Sequence, residues 1–105
     1  MARYLFEAKY TVEGTKGLLH EGGTGRRAAI DKMFRGLGGE IKDIYYAFGD
    51  VDVYVIAELP DNVSAAAAAL AVNHGGGATV KTVVLMTLDE VDKACHKTVA
   101  YRAPG

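Results

Sequence analysis

Between Arg3 and Thr11 the side chains alternate, with Tyr4, Phe6, Ala8 and Tyr10 on one side and Glu7, Lys9 and Thr11 on the other. That period of two predicts a half-buried strand. From Val12 to Glu21 the spacing predicts a short helix carrying Leu18 and Leu19, ended by Gly22-Gly23. A second helix is expected from Thr24, its N-cap, with Ala29, Ile30, Met33, Phe34 and Leu37 at helical spacing and Gly38-Gly39 as its stop. Two β-rich runs follow, 41–48 and 51–59, and Gly49-Asp50 between them reads as a hairpin turn. Pro60-Asp61-Asn62 closes the third strand and caps an alanine-rich helix, whose small face is read as Val63, Ala66, Ala67, Leu70 and Ala71. Gly75-Gly76-Gly77 ends it, and 79–87 reads as a fourth strand. Thr87-Leu88-Asp89-Glu90 has the form of a capping box, predicting a short C-terminal helix to about Lys97.

The order is β-α-β-β-α-β with a tail helix, an α+β chain of ferredoxin-like type with both helices on one face of a four-stranded antiparallel sheet. Residues 1–97 are expected to form a single domain and 98–105 a flexible tail. Three strands are apolar on both sides. Val53, Val55 and Ala57 oppose Tyr54 and Ile56; Tyr45 and Ala47 oppose Ile44, Tyr46 and Phe48; Val80, Val84 and Met86 oppose Val83 and Leu85. Two helices cover only one side of a sheet. The surplus predicts pairing of two sheets face to face, a dimeric α+β barrel.

Composition narrows the partners. Twelve Lys and Arg against 13 Asp and Glu leave a net charge of −1, without the basic excess of a dedicated nucleic-acid binder. No apolar run approaches the ~18 residues of a membrane span, and no signal segment is expected, since Met1-Ala2-Arg3 leads directly into a strand-like pattern. Cys95 stands alone, so no intrachain disulfide is expected. A cytoplasmic homodimer without nucleic-acid or membrane partners is the expectation.

Four segments resemble the GYD-domain family of small bacterial proteins: Tyr10-Thr-Val-Glu-Gly14; Glu21-Gly-Gly-Thr-Gly-Arg-Arg27; Leu37-Gly-Gly39 leading to Ala47-Phe-Gly-Asp50; and Asp52-Val-Tyr-Val-Ile-Ala57 running on to Leu59-Pro-Asp-Asn62. The resemblance covers roughly residues 3–92 and implies a dimeric α+β barrel. It implies no particular activity, since relatives in the wider group include monooxygenases, lactone isomerases, haem-handling proteins and ligand sensors. The chain departs from the family at its naming motif. Where Gly-x-Tyr-Asp is expected, it has Gly49, Asp50, Val51 and Asp52, with valine in place of tyrosine.

Gly22-Gly23-Thr24-Gly25-Arg26-Arg27 is the first candidate site, because exposed amides, a helix N-terminus and two arginines suit a carboxylate or phosphate. The competing reading is a helix break with solvated arginines. The loose match to a dinucleotide loop, Gly23-x-Gly25-x-x-Ala28, carries no weight, since a helix rather than a strand precedes it. Asp50 reads as a turn residue. Asp52, entering an apolar strand, needs a partner such as an arginine or tyrosine. His20 is a candidate acid–base group beside the arginines, against the plainer reading of a solvent-facing residue. His20, His74 and His96 have no metal-site spacing, and neither metal nor cofactor is expected. Tyr10, Tyr45, Tyr46 and Tyr54 are read as interface or core residues, with Tyr10, Tyr45 and Tyr54 alternatively the walls of a pocket between sheet and helices.

Two functions remain open at this level. One is a homodimeric module that assembles with itself or binds a small acidic ligand. The other is a cofactor-independent isomerase or monooxygenase, in which His20 or Asp52 moves a proton while Arg26 and Arg27 hold an acidic substrate. A cavity shared by His20 and Asp52 would favour the second.

Overall fold

Strand β1 (Ala2–Tyr10) passes directly into helix α1 (Val12–Gly36) because Thr11, between them, caps the helix: its side chain accepts the Gly14 N–H at 3.2 Å. The computed structural model describes residues 1–47 and 49–105. Strands β2 (Glu40–Tyr46) and β3 (Val53–Leu59), helix α2 (Asn62–Gly75), strand β4 (Ala78–Leu85) and helix α3 (Leu88–Cys95) complete the chain. The sheet order is β2-β3-β1-β4 with every neighbouring pair antiparallel, the expected ferredoxin-like arrangement.

The two helices expected before β2 form one run with a single non-helical residue, Gly22 (φ 74°, ψ 170°). The break is where the glycines put it, but it is a kink rather than a loop, and Thr24 lies inside the second segment instead of capping it. At the far end, Gly38 (φ 82°) takes the left-handed conformation. The Gly39 N–H bonds Phe34 O at 2.9 Å and the Gly38 N–H bonds Arg35 O at 3.0 Å, a Schellman closure. Gly39 also lies against the β3 backbone, where a side chain would overlap Glu58 O.

The core lies between helices and sheet. Tyr4 and Phe6 of β1, Val53, Val55, Ala57 and Leu59 of β3, Ile41 of β2, Phe34 of α1 and Ala65 and Ala68 of α2 are buried there. Strict alternation would put Ile41 and Ile44 on opposite faces. Instead Ile41 pairs with Ala57 while Asp43 already pairs with Ile56, so Lys42 bulges out and both isoleucines turn toward the helices.

Helix α2 presents a different face from the one expected. Ala65 and Ala68 are buried, whereas Val63 and Leu70 are 77% and 69% exposed. A run of alanines has almost no polar contrast to orient it. Bonds at its ends fix the rotation: Asp61 accepts the Ser64 N–H at 2.8 Å, the buried Tyr4 hydroxyl donates to Asn62 Oδ1 at 2.6 Å, and Asn73 Oδ1 accepts the Val80 N–H at 3.0 Å.

The Ser64 amide holds the Asp61 carboxyl below its ordinary value of 3.8. A carboxylate with a lowered folded-state pKa stabilises fully above the unfolded value and loses that contribution as pH falls through the folded one. Glu58 beside Arg3 and Glu90 beside the Thr87 amide are lowered likewise. Stability therefore falls with pH below about 4. Asp61→Asn, which keeps a cap without a titrating group, is expected to shrink the drop in urea midpoint between pH 5 and pH 3.

Among the described residues, no helix packs on the opposite face of the sheet. Across its centre, Ile56, Leu5 and Val83 lie in one row, with Tyr45 beside Tyr54 in the next. Arg3 and Lys42 flank Glu58 at 2.8 and 3.7 Å at its edge. Helix α3 has both bonds of its capping box, Thr87 N–H to Glu90 Oε1 at 2.9 Å and Glu90 N–H to Thr87 Oγ1 at 3.1 Å. Every residue from Met86 to Gly105 is nevertheless exposed. This arm raises the radius of gyration to 16.5 Å, against about 13 Å for a compact chain of this length. No helix among the described residues is long and apolar enough to cross a membrane.

Candidate functional site

Helix α1 lies mainly over β2 and α2 mainly over β4, leaving a cleft between them above β1. The last inward residue of β1, Tyr10, forms its floor, and Arg26 enters from α1. Together with Gly14, Gly17, Val72 and Gly77 they line a cavity of about 300 Å³. The backbone closes its end tightly: the Thr11 N–H bonds Gly77 O at 3.0 Å and Thr11 Oγ1 donates to Gly76 O at 2.8 Å. A Cβ on Gly14 would overlap the Gly77 carbonyl, so Gly14 is where α1 can approach the loop after α2. Deeper in, a slot of about 60 Å³ reaches the core between Ile30, Met33 and Phe34 of α1 and Ala68 and Val72 of α2, with Arg26 and Tyr10 again at its edge.

The kink at Gly22 shapes the polar mouth. Residues five apart on a regular helix do not face one another. Here Arg26 Nη1 nevertheless meets Glu21 Oε2 at 3.3 Å across the kink. Burial works to lower the Arg26 pKa, but Glu21 and the Tyr10 hydroxyl together raise it, so the guanidinium stays charged. The Tyr10 and Tyr46 hydroxyls lie 3.1 Å apart and their rings are stacked. Burial, then the bond to Tyr10, pushes the Tyr46 hydroxyl well above the ordinary tyrosine value. Tyr46 is therefore a neutral donor or acceptor here, not a base.

The sequence candidates divide. Tyr10 and Arg26 meet at the cleft. Asp52 lies nearby, lining a second hollow with Tyr10, Thr15, Leu18 and Tyr46. Its partner is neither arginine nor a tyrosine hydroxyl but backbone: Oδ2 accepts the Tyr10 N–H at 2.8 Å, and its own N–H donates to Ala8 O at 2.9 Å. Those bonds tie Asp52 to the end of β1, and β3 starts only at Val53, so the strands are not joined by the two-residue turn expected at Gly49-Asp50. Phe48, assigned to the first hairpin strand from the sequence, lies outside the described residues. Arg27 and Thr24 line a separate shallow hollow with Gly23, Ile44 and Tyr46, because successive helical residues point about 100° apart. Exposed His20 lines none of these cavities. Tyr45 and Tyr54 pair on the helix-free face, away from Tyr10.

Sequence reading missed Glu21 and Tyr46 as members of the site. Alternation along β2 already placed Tyr46 beside Ile44 and opposite Tyr45, which was the available signal. Glu21 had none, since its reach depends on the kink. Asp50 is exposed at the edge of another hollow, its backbone oxygen 3.4 Å from Lys9 Nζ. Among the described residues no three His, Cys, Asp or Glu side chains converge as a metal site. The family model of the GYD domain matches residues 4–95. No curated protein and no solved structure gives a match.

Proposed function

The chain belongs to the GYD-domain family, and from that premise we propose a homodimeric module that binds a small acidic molecule in the inter-helix cleft of each protomer. One observation carries this reading: a charged guanidinium, Arg26, sits with the Tyr10 hydroxyl at the mouth of an otherwise apolar cavity. Arginine presents five N–H donors in a fork that matches a carboxylate, and a single 3.3 Å contact to Glu21 leaves donors for a ligand. The proton relay of the enzyme alternative has less support, because His20 lies outside the hollow that Asp52 lines.

Support for the second copy comes from the helix-free face, with Leu5, Ile56, Val83 and the Tyr45–Tyr54 pair, and from the unpacked C-terminal arm. Four strands of seven to nine residues make a footprint of only about 500 Å², whereas a stable interface takes about 800 Å² from each partner. The arm, with Leu88 85% and Tyr101 75% exposed, supplies apolar surface for the remainder. Light scattering is expected to give twice the 11.1 kDa chain mass at micromolar concentration. Ile56→Asp, which sets a carboxylate at the centre of the face, is expected to shift it to one chain. A monomeric wild type would sink the dimer.

A further inference from the structure

The cleft has a charged guanidinium at its mouth and a hydrocarbon-lined slot beneath, and the two ends imply different parts of one molecule. Resting on the small-acid reading above, we infer that the ligand is a short carboxylic acid with a branched apolar end, its carboxylate on Arg26 and its branch in the slot beneath. The slot exists because α2 offers only Ala68 and Val72 where α1 offers Ile30 and Met33, so the two helices leave a gap above the sheet. Its volume is about 60 Å³. A dry cavity of about 150 Å³ accepts the six carbons of benzene, so this one accepts two or three. Such a space, walled by hydrocarbon, gives water too few partners to fill it well, and an alkyl branch replaces nothing of value.

At the mouth the ligand does not bring a new charge into the cleft. Arg26 already faces the Glu21 carboxylate at 3.3 Å, and the Glu21 side chain is 43% exposed. An incoming carboxylate takes the place of Glu21, which swings into solvent, and the net charge of the guanidinium pair is unchanged. The exchange favours the ligand because a free acid can align both oxygens with the fork, while Glu21 reaches Arg26 only across the Gly22 kink. Arg26 and Tyr10 line both the outer cavity and the slot, so head and tail recognition are contiguous. A molecule with a charge at both ends, or a bulky phosphate without a tail, uses only half of this site.

Titration of the full chain with a graded series of simple acids, followed by amide NMR shifts, tests the inference without any variant. The series runs from acetate through 3-methylbutanoate to 4-methylpentanoate, with 4-methylpentan-1-ol and inorganic phosphate beside it. Each buried methylene should raise affinity about fourfold, so 4-methylpentanoate is expected to bind roughly 15- to 60-fold tighter than acetate. The alcohol should bind at least tenfold more weakly than the matching acid. Arg26→Gln should remove the preference for acid over alcohol, and Ala68→Leu should abolish the gain with tail length. Equal binding of acetate and 4-methylpentanoate would overturn the branched-tail inference while leaving the small-acid reading intact, as would binding of phosphate alone. Equal binding of acid and alcohol would overturn the placement on Arg26. No response to any anion at tens of millimolar would sink both readings.

Discussion

Replacing Phe34 by alanine is expected to cost about 3–5 kcal/mol, a large part of the 5–15 kcal/mol by which a domain is typically stable. Phe34 is 2% exposed, and its ring centroid lies 5.2 Å from that of Phe6, tilted by 44°. The pair joins α1 to the middle of β1, and each ring contributes burial as well as the attraction of a tilted aromatic pair. Few neighbours can move into the vacated space, because on the α2 side they are alanines with no side-chain length to extend. The cavity term of the substitution should therefore be near its full value. Phe34→Leu, which keeps most of the volume, should cost less than half as much. Urea unfolding monitored by circular dichroism gives both values. A Phe34→Ala penalty below about 1.5 kcal/mol would mean that α1 is not anchored where the ring sits.

Gly14→Ala and Gly17→Ala are expected to act in opposite directions although they lie on one turn of one helix. A methyl at Gly14 overlaps the carbonyl of Gly77, a backbone atom that cannot rotate away. The loop must retreat, and the Thr11 N–H bond to Gly77 O goes with it. Overpacking and the lost bond together suggest a cost of about 3 kcal/mol. A methyl at Gly17 meets nothing within 4 Å and removes the entropic handicap of a helical glycine, so it should stabilise by about 0.8 kcal/mol. Thermal unfolding of the two variants beside the wild type decides the matter, and equal shifts would refute the close approach of α1 to that loop.

What the residue pattern revealed, and what it hid, follows from contrast. β1 was legible because Phe6, Ala8 and Tyr10 alternate with Glu7, Lys9 and Thr11, and the end of α1 because Gly38-Gly39 can close a Schellman motif where few other residues can. The α3 cap was legible because its two bonds are local. The face of α2 was not, since Val63 and Leu70 are the largest apolar residues on it and yet point outward; distant partners, Tyr4 and Val80, set its rotation. The Lys42 bulge escaped because a single inserted residue leaves both flanking patterns intact. At the site, the two arginines were grouped by adjacency in sequence, where helical geometry separates them. Asp52 was recognised as a carboxylate needing a partner, but an amide from another strand cannot be read from side-chain types.

The placement of both helices on one side of the sheet has an evolutionary consequence. Tyr45 and Tyr46 are neighbours in the chain, yet one belongs to the helix-free face and the other to the cleft. Substitutions at odd positions of β1 alter one surface and those at even positions alter the other. Descendants of this chain are free to change the cleft without changing the helix-free face, and the reverse. A sheet with alternating side chains thus lets two selective histories be written, letter by letter, in the same short strands.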